Sequence, residues 1–251
     1  MRWNIGYLGI KDLFTLINLL GGVFGIYFAI VGQVDYAGYA IFAGFVFGDA
    51  LDGQVARLTK TGNIFGGEFD NAADHISQAV APAVMIYAAY HQAGWDWAGI
   101  YLMALLISTG TLRQARSLAV PFEFKLAYPG LPRTASGLLA ISMPNTTLFY
   151  EYWEYGREGG IVVLTAAALL NLMPVPYMSH KGRAFQTYVR ILLASFFLLL
   201  IPLFLFARPF VFDWVFAMTF GYSLTAWIPL RPDERKEFYA RHRAWSARLN
   251  T

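Results

Sequence analysis

The sequence contains no cysteine, which excludes disulfides, thiolate metal ligands and a thiol nucleophile. Charge is scarce as well: Asp, Glu, Lys and Arg make up 14% of the 251 residues, where a soluble domain carries about 25%. Internal repeats, low-complexity runs and long linkers are also missing, so a single domain over 1–251 is expected. What fills the space is apolar: 57% of residues are hydrophobic, with 21 Phe, 15 Tyr and 7 Trp. That balance excludes an ordinary soluble domain and points to an all-α, polytopic membrane protein.

Hydropathy marks eight candidate spans, at 13–32, 36–58, 65–90, 98–118, 135–152, 160–178, 189–207 and 210–229. The first reads as a retained span and not as a cleaved leader. Pro144 interrupts the fifth. Residues 1–12 form an amphipathic segment suited to the interface, and 208–251 hold the last span and a basic tail. On this layout 17 of the 19 basic residues fall on one side, and Arg157 and Arg208 on the other. The asymmetry predicts cytoplasmic N- and C-termini. Because the basic residues track the membrane face, nucleic-acid binding is not expected.

The most informative stretch is DALDGQVARLTKTGNIFGGEFDNAAD, from Asp49 to Asp74. Asp49 and Asp52 are three apart and Asp70 and Asp74 four apart, so on helices each pair projects from one face. Carboxylates beside a bilayer are costly and mark a functional site by default. Four of them repel unless cations sit among them, and two divalent cations balance them formally. Oxygen-only ligands select hard ions: Mg²⁺ or Mn²⁺, with Ca²⁺ as a further occupant.

Written as a pattern, Asp49, Asp52, Gly53, Ala56, Arg57, Gly66, Asp70 and Asp74 give D-x2-D-G-x2-A-R-x8-G-x3-D-x3-D. This resembles the signature of the CDP-alcohol phosphatidyltransferase family at all eight positions. The resemblance implies six core transmembrane helices over 13–207, with about two more C-terminal ones outside the core. It further implies a homodimer that transfers a phosphatidyl group from a CDP-linked lipid donor to an alcohol, releasing CMP. Metal ions suit that chemistry by neutralising a pyrophosphate and stabilising the leaving group. The resemblance assigns Asp49, Asp52, Asp70 and Asp74 to the metals, and Gly53, Ala56, Arg57 and Gly66 to the nucleotide and pyrophosphate. Arg57 brings a planar fork of donors to phosphate oxygens, and the small residues admit a flat nucleotide. For the small residues, close helix packing is the alternative reading. Asp74, furthest along its helix from the D-G-x2-A-R turn, is assigned as general base toward the acceptor hydroxyl.

Three further segments are similar to phosphatidylserine synthases and their archaeal ether-lipid relatives: FGGEFDNAADHISQAVAPA at 65–83, GTLRQAR at 110–116 and PYMSHKGRAF at 176–185. They make L-serine the expected acceptor, with Arg113, Arg116 and Arg133 as acceptor-binding residues. Snorkelling of Arg113 and Arg116 toward lipid phosphate is the alternative. Ser117–Leu118 and Arg133–Thr134 depart from those relatives' usual residues. The same reaction with inositol phosphate or glycerol phosphate is a second reading, and a divalent-cation transporter a third. The transporter is disfavoured by Arg57 and Lys60 beside the aspartates. The tail is expected to be a surface helix on anionic lipid or a topology anchor, with no part in acceptor choice.

Overall fold

The computed structural model describes residues 8–49, 63–179, 198–200, 202–207, 210–225, 228 and 230–249. Asp52, Gly53, Ala56 and Arg57 lie outside the described residues, as do 1–7 and most of the expected seventh span. The described chain is mostly helical. Its contacts divide it into two compact units, Met1–Ala104 and Leu105–Thr251.

In the first unit, α1 (Ile10–Ile30) packs against α2 (Val34–Gly44), α3 (Ile64–His75) and α4 (Ala81–Gln92). Ile10, Lys11 and Asp12, expected in an interfacial segment, form the first turn of α1. That helix has its polarity turned inside out. Thr15 and Asn18 are fully buried, while Leu13, Leu16, Leu20, Phe24 and Tyr27 are exposed. A water-soluble helix does the reverse. Exposing a continuous apolar face is favourable only against lipid or another apolar surface. Among the described residues, α1 is the helix long and apolar enough to cross a membrane.

Two wide turns interrupt regular winding. α2 runs on into a π turn at Phe45–Asp49, and α3 continues through a π turn at Ile76–Val80 into α4. The third expected span is therefore one helical run with a bulge inside it. Single π turns concentrate at functional sites, and here one ends on Asp49 and the other starts two residues after Asp74.

α5 (Asp96–Ala119) begins before the boundary between the units and ends after it. In the second unit, the expected fifth span is α6 (Arg133–Ser142), a 3₁₀ turn at Met143–Asn145 and α7 (Thr147–Glu151). Pro144 breaks it as anticipated, since it offers no N–H and crowds the preceding turn. The expected span 160–178 is shifted: α8 runs from Trp153 to Leu170. Beyond it Pro174 and Pro176 favour extended backbone, and Pro176–Met178 forms a strand, β2, antiparallel to β1 (Ala127–Pro129). Burial pushes the Tyr177 phenol up to about 12, so it stays protonated and donates to Ser223 O at 2.9 Å. Ser223 belongs to α9 (Val211–Thr225), which packs on α6.

The tail is a helix, α10 (Pro232–Arg248). Pro232 takes the first helical position, and Glu234 Oε2 accepts from Arg231 N at 2.9 Å. Phe238 and Trp245 are 0% and 2% exposed. Phe238 joins Phe124, Ala127, Met178 and Leu230 in one apolar cluster.

Candidate metal centre

Asp49 closes the first π turn, and Asp70 and Asp74 share a face of α3. One carboxylate oxygen from each lies within 4.8 Å of the others, so the structure brings three of the four expected ligands together. Asp74 is 6% exposed. Its Oδ1 accepts from Asn18 Nδ2 at 2.8 Å and from Gln78 Nε2 at 2.9 Å. Asp70 Oδ1 is buried and receives no hydrogen bond among the described residues.

Three carboxylates this close repel strongly when partly desolvated. A buried carboxylate oxygen without a donor is costly unless something else meets it. Both features, with an all-oxygen donor set, fit a hard cation. The described donors Asn18 and Gln78 serve Asp74 and leave Asp70 Oδ1 unmet.

Asn18 and Gln78 were not singled out from the sequence. Gln78 lies one helical turn beyond Asp74, a relation that spacing shows. Asn18 is a polar residue within an apolar span, which is a signal by itself. At the same residue α1 also comes close to the π turn that follows α2. A Cβ on Gly48 would stand 2.4 Å from Asn18 N, so a side chain there would push α1 away.

Gly66 has a neighbour that the sequence did not suggest. Lys11 and Asp12 form a buried ion pair at 3.0 Å in the first turn of α1. A Cβ on Gly66 would lie 2.3 Å from Lys11 Nζ and 2.6 Å from Asp12 Oδ1. Gly66 N in turn donates to Asn63 Oδ1 at 2.7 Å, capping α3.

The second unit collects the three arginines. Arg113 Nη1 donates to Pro129 O at 3.0 Å and Asn171 O at 2.9 Å. Arg116 donates to Leu172 O at 3.0 Å, Pro129 O at 3.1 Å and Asn171 O at 3.2 Å. Arg133 Nη1 donates to Gln114 Oε1 at 3.1 Å. Arg113 is close enough to Arg116 and Arg133 to be repelled by both charges. The carbonyls of Asn171 and Leu172 end α8, where the helix dipole is negative and cations are favoured. Arg113 and Arg116 therefore clamp the end of α8 to β1, neither snorkelling away nor standing clear of the protein.

Three carboxylates converging on the helices of so apolar a chain define a candidate metal site. Residues 9–173 match the family model for CDP-alcohol phosphatidyltransferase. The chain belongs to the CDP-alcohol phosphatidyltransferase family, and is therefore a transferase. It is 29% identical over 186 residues to a CDP-diacylglycerol–serine O-phosphatidyltransferase of Helicobacter pylori strain J99, covering 72% of this chain and 78% of that one. With the protein of the same name from H. pylori strain 26695 it shares 30% over 174 residues, 68% of this chain and 71% of the relative. An archaetidylserine synthase of Methanothermobacter thermautotrophicus is 28% identical over 185 residues, 72% of this chain and 74% of the relative.

Proposed function

We propose that this protein transfers the phosphatidyl group of a CDP-linked lipid, ester or ether, to the hydroxyl of L-serine, releasing CMP at the cytoplasmic face of a multi-pass membrane domain. The observation that carries the reading is the convergence of Asp49, Asp70 and Asp74 within 4.8 Å inside the family-matched segment. The names of the relatives support serine as the acceptor. Family membership sets the cation-transporter reading aside.

Asp49, Asp70 and Asp74, with Asp52, are the residues that would hold two divalent cations, Mg²⁺ or Mn²⁺. Ions held there would supply charge neutralisation for a pyrophosphate and stabilisation of a CMP leaving group. Gly53, Ala56, Arg57 and Gly66 are assigned to the nucleotide. Asn18 and Gln78 donate to Oδ1 of Asp74 and so orient its carboxylate, and Asp74 is assigned as the acceptor of the serine hydroxyl's proton. Arg113, Arg116 and Arg133 are assigned to the carboxylate of the acceptor. The exposed apolar faces suit both lipid and a second copy of the chain, in keeping with a homodimer.

A second reading draws on the repulsion of Arg113 by Arg116 and Arg133, which a doubly charged phosphate would relieve better than a carboxylate. An acceptor panel decides. Purified protein is given a CDP-lipid, a divalent metal and serine, glycerol phosphate or inositol phosphate, and CMP release is measured. Serine-dependent release that EDTA abolishes is the expected result. Release with a phosphorylated alcohol and none with serine overturns the serine assignment.

A further inference from the structure

The matched segment ends at residue 173, so α10 lies outside it. Composition gives α10 only a surface or anchoring role. Its contacts with the arginine clamp go further.

The Arg116 guanidinium lies over the Trp245 ring, 5.1 Å from its centroid. Trp245 is itself fixed, because its Nε1 donates to Val120 O at 2.7 Å. One turn earlier, Arg241 Nη1 donates to Glu123 O at 3.2 Å, and its guanidinium also pairs with Glu237 and covers the Phe124 ring. Phe122 meets Phe238 and Trp245 edge-on. The segment 120–124, which leaves the end of α5, is thus held along the inner face of α10.

Arg116 is therefore held on two sides: by the carbonyls of Pro129, Asn171 and Leu172, and by an aromatic face from the tail. Arg113 shares two of those carbonyls. Pro129 lies in β1, whose Ala127 is buried in the same cluster as Phe238 and Leu230. The tail thus supports the clamp directly, by stacking, and indirectly, through the strand that supplies its shared acceptor. A guanidinium on a long flexible stem loses affinity for a carboxylate or phosphate when its orientation is not fixed in advance. A stacked aromatic fixes the plane while leaving N–H groups at the edge.

We infer that Trp245 is a positioning residue for the acceptor: α10 sets the plane of Arg116, and through the shared carbonyls that of Arg113, for binding the acid group of the acceptor. This rests on the proposed acceptor role of the arginines. It adds a role in acceptor affinity to a tail expected to have no part in acceptor choice.

The experiment compares Trp245→Phe and Trp245→Leu in the full chain. Both refill the space with apolar atoms and both lose the Nε1 donor, but only Phe keeps an aromatic face for Arg116. Initial rates of CMP release are measured over serine concentration at saturating CDP-lipid and metal. Trp245→Leu is expected to raise KM for serine at least fivefold, with kcat and KM for CDP-lipid within twofold of the parent. Trp245→Phe is expected to stay within twofold throughout. Arg116→Ala is measured alongside, alone and with Trp245→Leu. Non-additivity, with no further rise in KM in the double variant, places the two residues on one route. A normal serine KM in Trp245→Leu, together with a raised one in Arg116→Ala, overturns the inference and leaves the arginine reading standing. A normal serine KM in Arg116→Ala overturns both. An equal rise in Leu and Phe assigns the effect to the lost N–H, which also overturns the stacking argument.

Discussion

Asn18 donates from Nδ2 to Oδ1 of Asp74 at 2.8 Å, and the two residues are 56 positions apart in sequence, on α1 and α3. The bond joins a helix with an exposed apolar face to the carboxylate buried most deeply in the cluster. Asn18→Leu removes the donor and leaves Asp74 Oδ1 with Gln78. Losing one buried hydrogen bond to a charged group costs about 1–3 kcal/mol. The expected outcome is a lower melting temperature and a weaker Mn²⁺-induced rise in it. An undiminished Mn²⁺ effect would show that Asn18 plays no part in orienting Asp74.

Asp74→Asn keeps the shape and removes the basicity. About 100-fold or more of turnover should be lost, while CDP-lipid binding remains measurable. Asp49→Asn and Asp70→Asn should lose metal and nucleotide together, since Asp70 Oδ1 has no described donor and depends on a cation. Equilibrium binding of a CDP-lipid with and without Mn²⁺ separates the cases. Normal turnover in Asp74→Asn would exclude it as the base.

Gly66→Ala puts a methyl group where Lys11 Nζ and Asp12 Oδ1 now sit. The ion pair must move, and overpacking of this kind costs about 1–3 kcal/mol. Thermal unfolding in one detergent, with and without CDP-lipid, measures it. A stability equal to the parent's would mean that the pair shifts freely and that Gly66 is small for the nucleotide alone.

Burial, and behind it the charge of Arg116, holds the His242 imidazole below its ordinary value near 6.5. Its ring is packed among Phe122, Phe238 and Trp245. The docked tail then binds fewer protons than a free one, so docking is at full strength above the ordinary imidazole value. It weakens as the pH falls through that value. Amide-exchange protection along 232–248, taken against the intrinsic rate at each pH, should fall between about pH 7 and pH 5, and His242→Phe should flatten the trend. Protection that rises on acidification would reverse the sign and refute the account.

Much of this site was legible because its residues are specified by offset. Asp49, Asp70 and Asp74 meet where their spacing placed them, and α1 and α5 fall within a few residues of the hydropathy boundaries. The π turns were hidden, since one extra residue in a helix leaves hydropathy unchanged. So was the Asn18 bond, because spacing cannot pair residues on different helices. The start of α8 at Trp153 lay in a stretch containing Glu154, Arg157 and Glu158, which reads as loop until Arg157 is seen over the Phe149 ring, 5.6 Å from its centroid. In the tail, alternating charges masked Phe238 and Trp245, seven apart and therefore on one helical face.

The π turn at Phe45–Asp49 gives this stretch one residue of slack in its length. Each residue advances a helix by about 100°, and the bulge holds one more residue than regular winding does. Deleting a single apolar residue there, Phe47 for instance, would leave a well-wound and equally greasy helix. It would leave Asp49 on nearly the same face, because the wide turn already spends one residue more than regular winding needs for that rotation. A second deletion would find no slack left and would swing Asp49 by about 100°, away from Asp70 and Asp74. The turn is thus a one-residue reserve of chain, and a hydropathy plot does not register it.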